Sequence, residues 1–193
     1  MSSSGTHRHF HMHPEAERRQ WQNPESVLAL AGLKPTMTFV DLGCGNGFFA
    51  LPAARAVGAK GRVYGVDASP EFIEELRTRA EAEGLKNLTL TTGRAEETLP
   101  CEQCADIVFM GNVLHDFDDP AQVLANARKM LKPTGVLVNV DWKDKPSPMG
   151  PPMSIRFSAA RASGLIENAG FSAGAPQDVG SYHYLILARP RSE

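Results

Sequence analysis

Short apolar segments alternate with longer amphipathic segments along most of this 193-residue chain. The apolar segments predict strands near 38–42, 62–67, 87–91, 105–110, 135–141 and 181–189. The segments between and around them predict helices near 14–22, 47–57, 70–83, 120–131 and 155–169, and one that begins at Asn23. Strands that alternate with helices are typical of a doubly wound α/β domain, so the pattern predicts a mostly parallel sheet with helices on both faces.

Three of the predicted helices carry the sequence signature of a helix start. Asn23-Pro24, Ser69-Pro70 and Asp119-Pro120 each place a side-chain acceptor directly before a proline. The acceptor can bind a free N–H of the first turn, and proline fits the first helical position because no intrahelical N–H bond is needed there. We therefore expect helices to begin at these three positions.

The composition indicates one globular domain after a short polar tail. Hydrophobic residues make up 42% of the chain, which is enough for a core of ordinary size. Residues 1–13 are predicted to be a disordered tail, and residues 14–193 a single domain. Four histidines alternate in the tail, at His7, His9, His11 and His13. They would share one face of an extended strand and could chelate a metal, but a structural site needs a closed ligand set, so no metal site is predicted.

Charge and hydropathy argue against several classes of function. Lys+Arg 20 against Asp+Glu 22 gives a net charge of −2, so no overall field attracts nucleic acid or anionic lipid. No apolar run approaches the roughly 18 residues of a membrane span, and the first residues lack the apolar region of a signal peptide. An odd set of three cysteines in such a chain favours a reducing compartment, so we expect a cytoplasmic protein.

The segment 40–50, V-D-L-G-C-G-N-G-F-F-A, carries the most information about function. It joins a buried strand to a helix through a turn with three glycines, where a ligand can approach the backbone without meeting a Cβ atom. A dinucleotide fingerprint needs G-x-G-x-x-G, but Phe48 stands at the sixth position. The spacing therefore favours a nucleoside with a compact charged tail over a pyrophosphate. A dinucleotide-binding oxidoreductase is a distant alternative.

Two later segments extend this pattern. The strand predicted at 62–67 ends in Asp67, about 20 residues past the glycines, where an acidic residue accepts hydrogen bonds from ribose hydroxyls. The segment 106–117, D-I-V-F-M-G-N-V-L-H-D-F, covers the fourth predicted strand and the residues after it. The three motifs, in this order, resemble the class I S-adenosylmethionine-dependent methyltransferases, in the branch that acts on small molecules.

That branch includes the quinone C-methyltransferases and the arsenite methyltransferases, and this chain resembles a compact prokaryotic subgroup of it. The resemblance runs from about Asn23 to the last predicted strand. It implies a Rossmann-like sheet of seven strands in which the last strand is antiparallel and lies beside the fifth. It also implies S-adenosyl-L-methionine as the cofactor and S-adenosyl-L-homocysteine as the product.

The resemblance places the cofactor at the glycine turn and at the ends of the following strands. It assigns cofactor contacts to Asp41, Gly43, Cys44, Gly45, Gly47, Asp67, Ala68, Arg94, Ala95, Glu96 and Asn112. Asp41 would organise the turn and the amino-group contacts, and Asp67 would hold the ribose hydroxyls. Arg94 stands where many relatives have an acidic residue, and it cannot accept a hydrogen bond. Adenine recognition would then fall to the backbone near Ala95 or to Glu96.

His115 is the candidate catalytic base, because a neutral imidazole can remove a proton from a hydroxyl, an amine or a carbon acid near neutral pH. The alternative is a histidine that only shapes the pocket. Asp116 could orient His115 or could belong to the acidic start of the next helix. Asp116, Trp142 and Tyr182 are predicted to line the acceptor pocket, with a core aromatic as the alternative for Trp142. The helix near 14–22 would close over the cofactor.

The pair Cys101-x-x-Cys104 has two interpretations. It precedes a strand rather than opening a helix, unlike a thioredoxin dithiol, and no second pair exists to complete a zinc site. The pair is either dispensable or binds a soft acceptor such as trivalent arsenic. Cys44 is interpreted as a small residue packed within the glycine turn.

The sequence thus predicts methyl transfer from S-adenosylmethionine to a small-molecule acceptor, by a monomer or homodimer. Only a short amino-terminal segment and the loop after the fifth strand are available to select the acceptor, with no added domain to hold nucleic acid or protein. The main alternative is a sensor or partner protein that binds S-adenosylmethionine without catalysis. Methylation of a soft acceptor such as arsenite is a more distant one.

Overall fold

The computed structural model describes residues 14–191, so the histidine tail predicted at residues 1–13 lies outside the described residues. One mixed sheet forms the centre of the described chain. Its strands are β1 (Thr38–Leu42), β2 (Arg62–Asp67), β3 (Leu88–Thr92), β4 (Ala105–Gly111), β5 (Leu131–Trp142), β6 (Phe171–Ala173), β7 (Gln177–Val179) and β8 (His183–Pro190). They lie in the order β3-β2-β1-β4-β5-β8-β6, and β7 also pairs with β8.

The first five strands are parallel, and β8 is antiparallel to β5. This confirms the predicted mostly parallel sheet with an antiparallel last strand beside the fifth. The sheet has eight strands where the resemblance implied seven, because β6 and β7 add three residues each along β8. Strands this short contain too few residues to show an alternating pattern in the sequence.

Helices cover both faces of the sheet. They are α1 (Glu15–Trp21), α2 (Pro24–Leu30), α3 (Ala50–Val57), α4 (Pro70–Ala82), α5 (Pro120–Met130) and α6 (Ala159–Asn168), with a 3₁₀ turn at Met153–Ile155. The predicted starts at Asn23, Ser69 and Asp119 are confirmed, because each side chain accepts a hydrogen bond from the backbone N–H three residues further on. None of the helices in residues 14–191 has the length and apolar character needed to cross a membrane.

Two apolar cores lie on opposite faces of the sheet, because successive side chains of a strand point to opposite faces. On one face, Phe39 and Phe109 belong to a core with residues of α2, α3 and α4. On the other face, Val40 and Val108 belong to a core with residues of α5 and α6. The central strands are therefore buried on both sides, which explains their nearly continuous apolar sequences.

Three predicted boundaries differ by at least three residues from the observed ones. Helix α3 begins at Ala50 rather than near residue 47, because Gly47 has a φ of +98°, outside the helical region. Strand β5 begins at Leu131 rather than near residue 135, directly after α5. The helix predicted from residue 155 begins at Ala159, after the 3₁₀ turn, where the Ser158 side chain caps it.

Candidate functional site

The turn after β1 lies at the carboxyl edge of the sheet, where ligands bind in open α/β sheets. Gly43, Gly45 and Gly47 have φ angles of +73°, +51° and +98°, a region that other residues rarely adopt. A Cβ atom at Gly43 would lie 2.9 Å from the Val113 side chain, and one at Gly47 would collide with Leu76. A Cβ atom at Gly45 would meet nothing within 4 Å. The turn is therefore packed at its two ends and open at its centre.

Asp67, at the end of β2, holds the open part of this turn. Its Oδ2 accepts a hydrogen bond from the Gly45 N–H at 2.7 Å, and its Oδ1 accepts one from the Ser69 N–H at 2.9 Å. Ala68 lies between Asp67 and the start of α4. Each oxygen of a carboxylate can accept a second hydrogen bond. The carboxylate predicted to bind ribose is thus fixed beside the open space at Gly45 with acceptor capacity left over.

Asp41, in β1, is buried with an incomplete set of partners. The residue is 2% exposed, and its Oδ2 has no hydrogen-bond partner among the residues that the structure describes. Burial raises the pKa of Asp41 to about 8; the charge of Asp67 acts in the same direction, and the charge of Arg18 opposes both. A buried polar atom without a partner costs free energy unless a ligand supplies one.

Helix α1 covers the glycine turn. The guanidinium carbon of Arg18 lies 3.7 Å from the centroid of the Phe48 ring, directly after the third glycine. The same guanidinium donates two hydrogen bonds to Oε1 of Gln22, at 3.0 and 2.9 Å. Burial lowers the pKa of Arg18 to about 10, so the side chain remains a cation at neutral pH. The geometry therefore places a positive charge from α1 next to the turn and to Asp41.

Asn112, directly after β4, is held by Gln22, the residue directly after α1. Its backbone has a φ of +62°, and its N–H donates to the Val140 carbonyl at 2.7 Å. Its side-chain amide exchanges two hydrogen bonds with the Gln22 amide, at 3.0 and 3.3 Å. Gln22 was not predicted as part of the site, because nothing in the sequence marks a contact between residues 90 positions apart.

His115 lies in the turn after β4, and its side chain is 2% exposed. Its Nδ1 is 2.8 Å from Oδ1 of Asp141, near the end of β5, whereas its Nε2 is 3.5 Å from Oδ1 of Asp116. The Asp141 side chain is fully buried, but the Asp116 side chain is 48% exposed. The close partner of His115 is therefore Asp141, and not Asp116, which the sequence had suggested.

The pKa of His115 reflects two opposing effects. Burial disfavours the imidazolium and by itself would lower the pKa. The hydrogen bond and negative charge of Asp141, followed by the charge of Asp116, outweigh burial and raise the pKa of His115 above 6.5, although the Arg156 cation opposes them. His115 therefore takes up a proton more readily than an isolated histidine does.

Trp142 and Tyr182 occupy different surroundings. The Trp142 ring packs with its centroid 5.3 Å from that of Trp21 and 4.2 Å from that of His183, and the residue is buried. This is the position of a core aromatic, the alternative interpretation of Trp142. Tyr182 is partly buried, and its carbonyl accepts the Lys143 N–H at 2.8 Å. The structure thus packs Trp142 against α1 and pairs the backbone of Tyr182 with the residue after β5.

The segment that was predicted to contact adenine forms hydrogen bonds with α5 and with the residues directly before α5. Arg94 donates to Oδ2 of Asp118 at 2.8 Å, and Oε1 of Glu96 accepts the Asp118 N–H at 3.1 Å. The carbonyls of Ala95 and Glu96 accept hydrogen bonds from the Asn126 amide, at 3.1 and 2.7 Å. These contacts tie the segment after β3 to α5, and a role in binding adenine stays a prediction.

The cysteines lie in two separate places. Cys44 is buried in the glycine turn, and burial raises the pKa of its thiol well above the ordinary range. Cys101 and Cys104 form a disulfide, a pairing that the sequence had not predicted. They directly precede β4, so the length of that strand, roughly 20 Å at about 3.3 Å per residue, separates them from His115. Within residues 14–191, no group of three or more His, Cys, Asp or Glu side chains is arranged to hold a metal ion.

A family model described as a methyltransferase domain matches residues 33–157. The chain is 34% identical over 127 residues to the 2-phytyl-1,4-naphtoquinone methyltransferase of Trichormus variabilis, with 65% of this chain and 55% of that protein covered. It is 29% identical over 113 residues to the arsenite methyltransferase of Halobacterium salinarum, with 58% of this chain and 28% of that protein covered. The chain thus spans little more than half of one curated relative and less than a third of the other.

The fold is also similar to solved structures. A SAM dependent methyltransferase from Aquifex aeolicus superposes with a TM-score of 0.84 at 28% identity, with 92% of this chain and 98% of that chain covered. The family match extends over more than half of the chain and includes the glycine turn, Asp67 and His115. This chain therefore belongs to the methyltransferase domain family, in its S-adenosylmethionine-dependent class.

Proposed function

We propose that this chain transfers the methyl group of S-adenosylmethionine to a small-molecule acceptor, with His115 as the general base. The observation that carries the proposal is the contact between two turns at the carboxyl edge of the sheet. Val113 lies against Gly43, and His115 follows Val113 by two residues. The turn that suits a nucleoside and the turn that holds a buried imidazole are therefore neighbours.

The residues at the glycine turn fit this cofactor. The Oδ2 of Asp41, which lacks a partner among residues 14–191, suits the ammonium of the methionine part. The open space at Gly45 leaves room for a ligand on the backbone of the turn. The remaining acceptor capacity of Asp67 suits the ribose hydroxyls. When bound, S-adenosylmethionine supplies an electrophilic methyl group on a positively charged sulfur.

The protein's own contribution is to position the acceptor and to receive its proton. His115 accepts the proton of the acceptor, and the Asp141 carboxylate stabilises the resulting imidazolium. Helix α1 covers the site, with Gln22 bonded to Asn112 and Trp21 packed on Trp142. A covered site excludes water, which strengthens each of these electrostatic interactions.

The elements beside the site favour a small acceptor. The loop between β5 and α6 directly follows the end of β5. Arg156, which is buried, fixes the shape of this loop, because its guanidinium donates to four loop carbonyls, those of Lys143, Lys145, Met149 and Pro151. A loop fixed in this way suits a small molecule. The Trichormus relative is named for a small-molecule acceptor, 2-phytyl-1,4-naphtoquinone.

The proposal is tested by binding and by turnover. Calorimetric titration should show binding of S-adenosylmethionine and of S-adenosylhomocysteine, but not of NAD. A metabolite pool incubated with methyl-labelled cofactor should yield a labelled small molecule. His115→Ala should leave cofactor affinity nearly intact and reduce turnover by about 10²–10⁴, the usual contribution of a positioned base.

Other outcomes have defined meanings. Tight cofactor binding with no labelled product from any pool would support the sensor alternative and overturn the proposal. An equal loss of cofactor affinity and turnover in His115→Ala would make His115 a wall of the cofactor pocket rather than a base. Binding of NAD in place of S-adenosylmethionine would contradict the assignment of S-adenosylmethionine as the cofactor.

A further inference from the structure

We propose that Asp141 is the positioning residue of this site: it holds His115 with the proton on Nδ1, so that Nε2 is the atom that removes a proton from the acceptor. The inference rests on the proposed function and narrows its substrate class. An acceptor matched to this arrangement carries a proton that has to leave during methylation, such as a hydroxyl or an acidic C–H group.

The hydrogen bonds around Asp141 decide the direction of the bond to His115. Oδ1 of Asp141 accepts the N–H of Trp142 at 2.8 Å and lies 2.8 Å from Nδ1 of His115. An oxygen that accepts a backbone N–H and faces a second nitrogen requires that nitrogen to donate. Nδ1 therefore carries the proton, and Nε2 of the neutral ring is left with its lone pair.

Burial stabilises the hydrogen bond between His115 and Asp141. The side chains of His115 and Asp141 are 2% and 0% exposed, so bulk water does not compete for the hydrogen bond between them. The sheet register explains why they meet. Gly111 of β4 pairs with Val140 of β5, so the turn that follows Gly111 lies beside the residue that follows Val140.

Three charged side chains act on His115 from the surrounding elements. Asp141 reaches it from β5, Asp116 from its own turn, and Arg156 from the segment before α6. Asp116 is 3.5 Å from Nε2, too long for a strong hydrogen bond, and its side chain is half exposed. Asp116 can therefore turn toward solvent when an acceptor binds, whereas Asp141 cannot.

The chemistry balances with these groups alone. The O–H bond of an acceptor hydroxyl breaks, and its proton goes to Nε2 of His115. The acceptor oxygen supplies an electron pair to the methyl carbon, and the electron pair of the broken carbon–sulfur bond stays on sulfur, which becomes a neutral thioether. The positive charge moves from the sulfonium to the His115 imidazolium, next to the carboxylate of Asp141. A thiolate-bound arsenic acceptor releases no proton and would leave this pair without a role.

The test needs neither cofactor nor acceptor. Long-range proton–nitrogen NMR of the cofactor-free protein reports which ring nitrogen carries the proton, and the spectrum of His115→Gln identifies the His115 signals. We expect the Nδ1–H tautomer and a pKa above 6.5 in the wild type.

Asp141→Asn removes the charge and should lower the pKa of His115. Asp141→Ala removes the acceptor oxygen and should return the ring to mostly Nε2–H. Asp144→Asn, an exposed charge change three residues away, is the matched control and should alter neither reading.

An Nε2–H tautomer in the wild type would overturn the proposal without any variant, so a variant that fails to fold does not remove the test. An unchanged pKa in folded Asp141→Asn would also overturn it. Once an acceptor is known, Asp141→Asn should reduce kcat with KM nearly unchanged and shift the rising limb of the pH–rate profile to lower pH, and Asp141→Glu should recover part of the rate. Failure to find any acceptor would count against the proposed function and leave the NMR result standing.

Discussion

Asp41, Asp67 and Asp141 lie at or near the carboxyl ends of β1, β2 and β5, yet their surroundings differ. Asp67 accepts two backbone hydrogen bonds, one on each oxygen. Asp141 accepts bonds from a backbone N–H and from His115, both on Oδ1, and its Oδ2 has no partner among the described residues. Asp41 is buried, with an Oδ2 that lacks a partner among residues 14–191. Burial raises the pKa of Asp41 to about 8, and the negative charge of nearby Asp67 contributes to this increase.

The raised pKa of Asp41 predicts proton release when the cofactor binds. At pH 6.5, below about 8, Asp41 is mostly protonated in the free protein. The ammonium of bound S-adenosylmethionine favours the carboxylate and lowers this pKa, so a proton should leave. Free α-amino groups keep their charge at this pH, because their pKa is about 7.7–8.0. Titration calorimetry at pH 6.5 in two buffers with different ionisation enthalpies should show release of nearly one proton.

Asp41→Asn is the control for this measurement. It keeps the shape of the side chain and removes the titrating group. The heat of binding should then differ between the two buffers only by the protons that other groups release. If the wild type releases no proton while Asp41 remains buried, the ammonium does not bind at Asp41 and the placement of the cofactor on this turn needs revision.

At the scale of elements, α1 is a short helix whose order depends on its contacts. It has seven residues, and isolated helices of fewer than about 12–15 residues are marginal in water. Arg79 of α4 connects it to the glycine turn, since its guanidinium bonds Glu15 at 2.5 Å and the Asn46 carbonyl at 2.9 Å. Gln22 connects its other end to Asn112.

Gln22→Ala should loosen α1 without unfolding the domain. It would leave the Asn112 amide and the Arg18 guanidinium without their partner, at a cost of about 1–3 kcal/mol. Every 1.4 kcal/mol is about tenfold in an equilibrium constant, so hydrogen exchange of the amides in residues 15–22 should accelerate by a factor of about 5 to 150. Exchange measured by mass spectrometry should detect this, with the sheet unchanged.

Gln20→Ala in the same helix is the matched control, because Gln20 is exposed. It should change exchange little. Equal acceleration in both variants, or none in Gln22→Ala, would show that the amide pair with Asn112 does not hold α1 in place.

At the scale of the whole molecule, the parallel order of β1 to β5 separates two regions that lie close in sequence. Cys104 and His115 are 11 positions apart, but β4 runs between them and places them at opposite ends of the sheet. A parallel sheet gathers its ligand-binding residues at the carboxyl ends of its strands. The disulfide lies at the other end, where no predicted cofactor residue lies.

The Cys101→Ser, Cys104→Ser double variant should therefore retain cofactor affinity and turnover on any organic acceptor, in oxidising and in reducing buffer alike. The physical reason is the roughly 20 Å between the pair and His115, which is beyond direct contact. Cys44→Ser is the contrast: it places a hydroxyl in a buried position of the glycine turn and should weaken cofactor binding. Arsenite methylation that is present in the wild type and lost in the double variant would contradict this expectation.

The sequence by itself determined the parts that depend on local rules. Backbone freedom at Gly43, Gly45 and Gly47 requires glycine, so the turn was visible in one segment of the chain. Asp67 could be identified because one strand–helix–strand unit fixes the number of residues between the glycine turn and the end of the next strand. The alternation of strands and helices predicted the parallel sheet for the same reason, since periodicity is a property of neighbouring residues.

Only the tertiary structure decided which strand ends meet. The bond between His115 and Asp141 depends on β5 lying next to β4, and the bond between Gln22 and Asn112 depends on where α1 docks. Asp116 was the natural candidate in the sequence because it is adjacent to His115, but adjacent side chains in a turn point in different directions. Trp142 was ambiguous for a similar reason: whether an aromatic residue at a strand end lines a pocket or packs in a core depends on what covers it. Here Trp21 and His183 cover it.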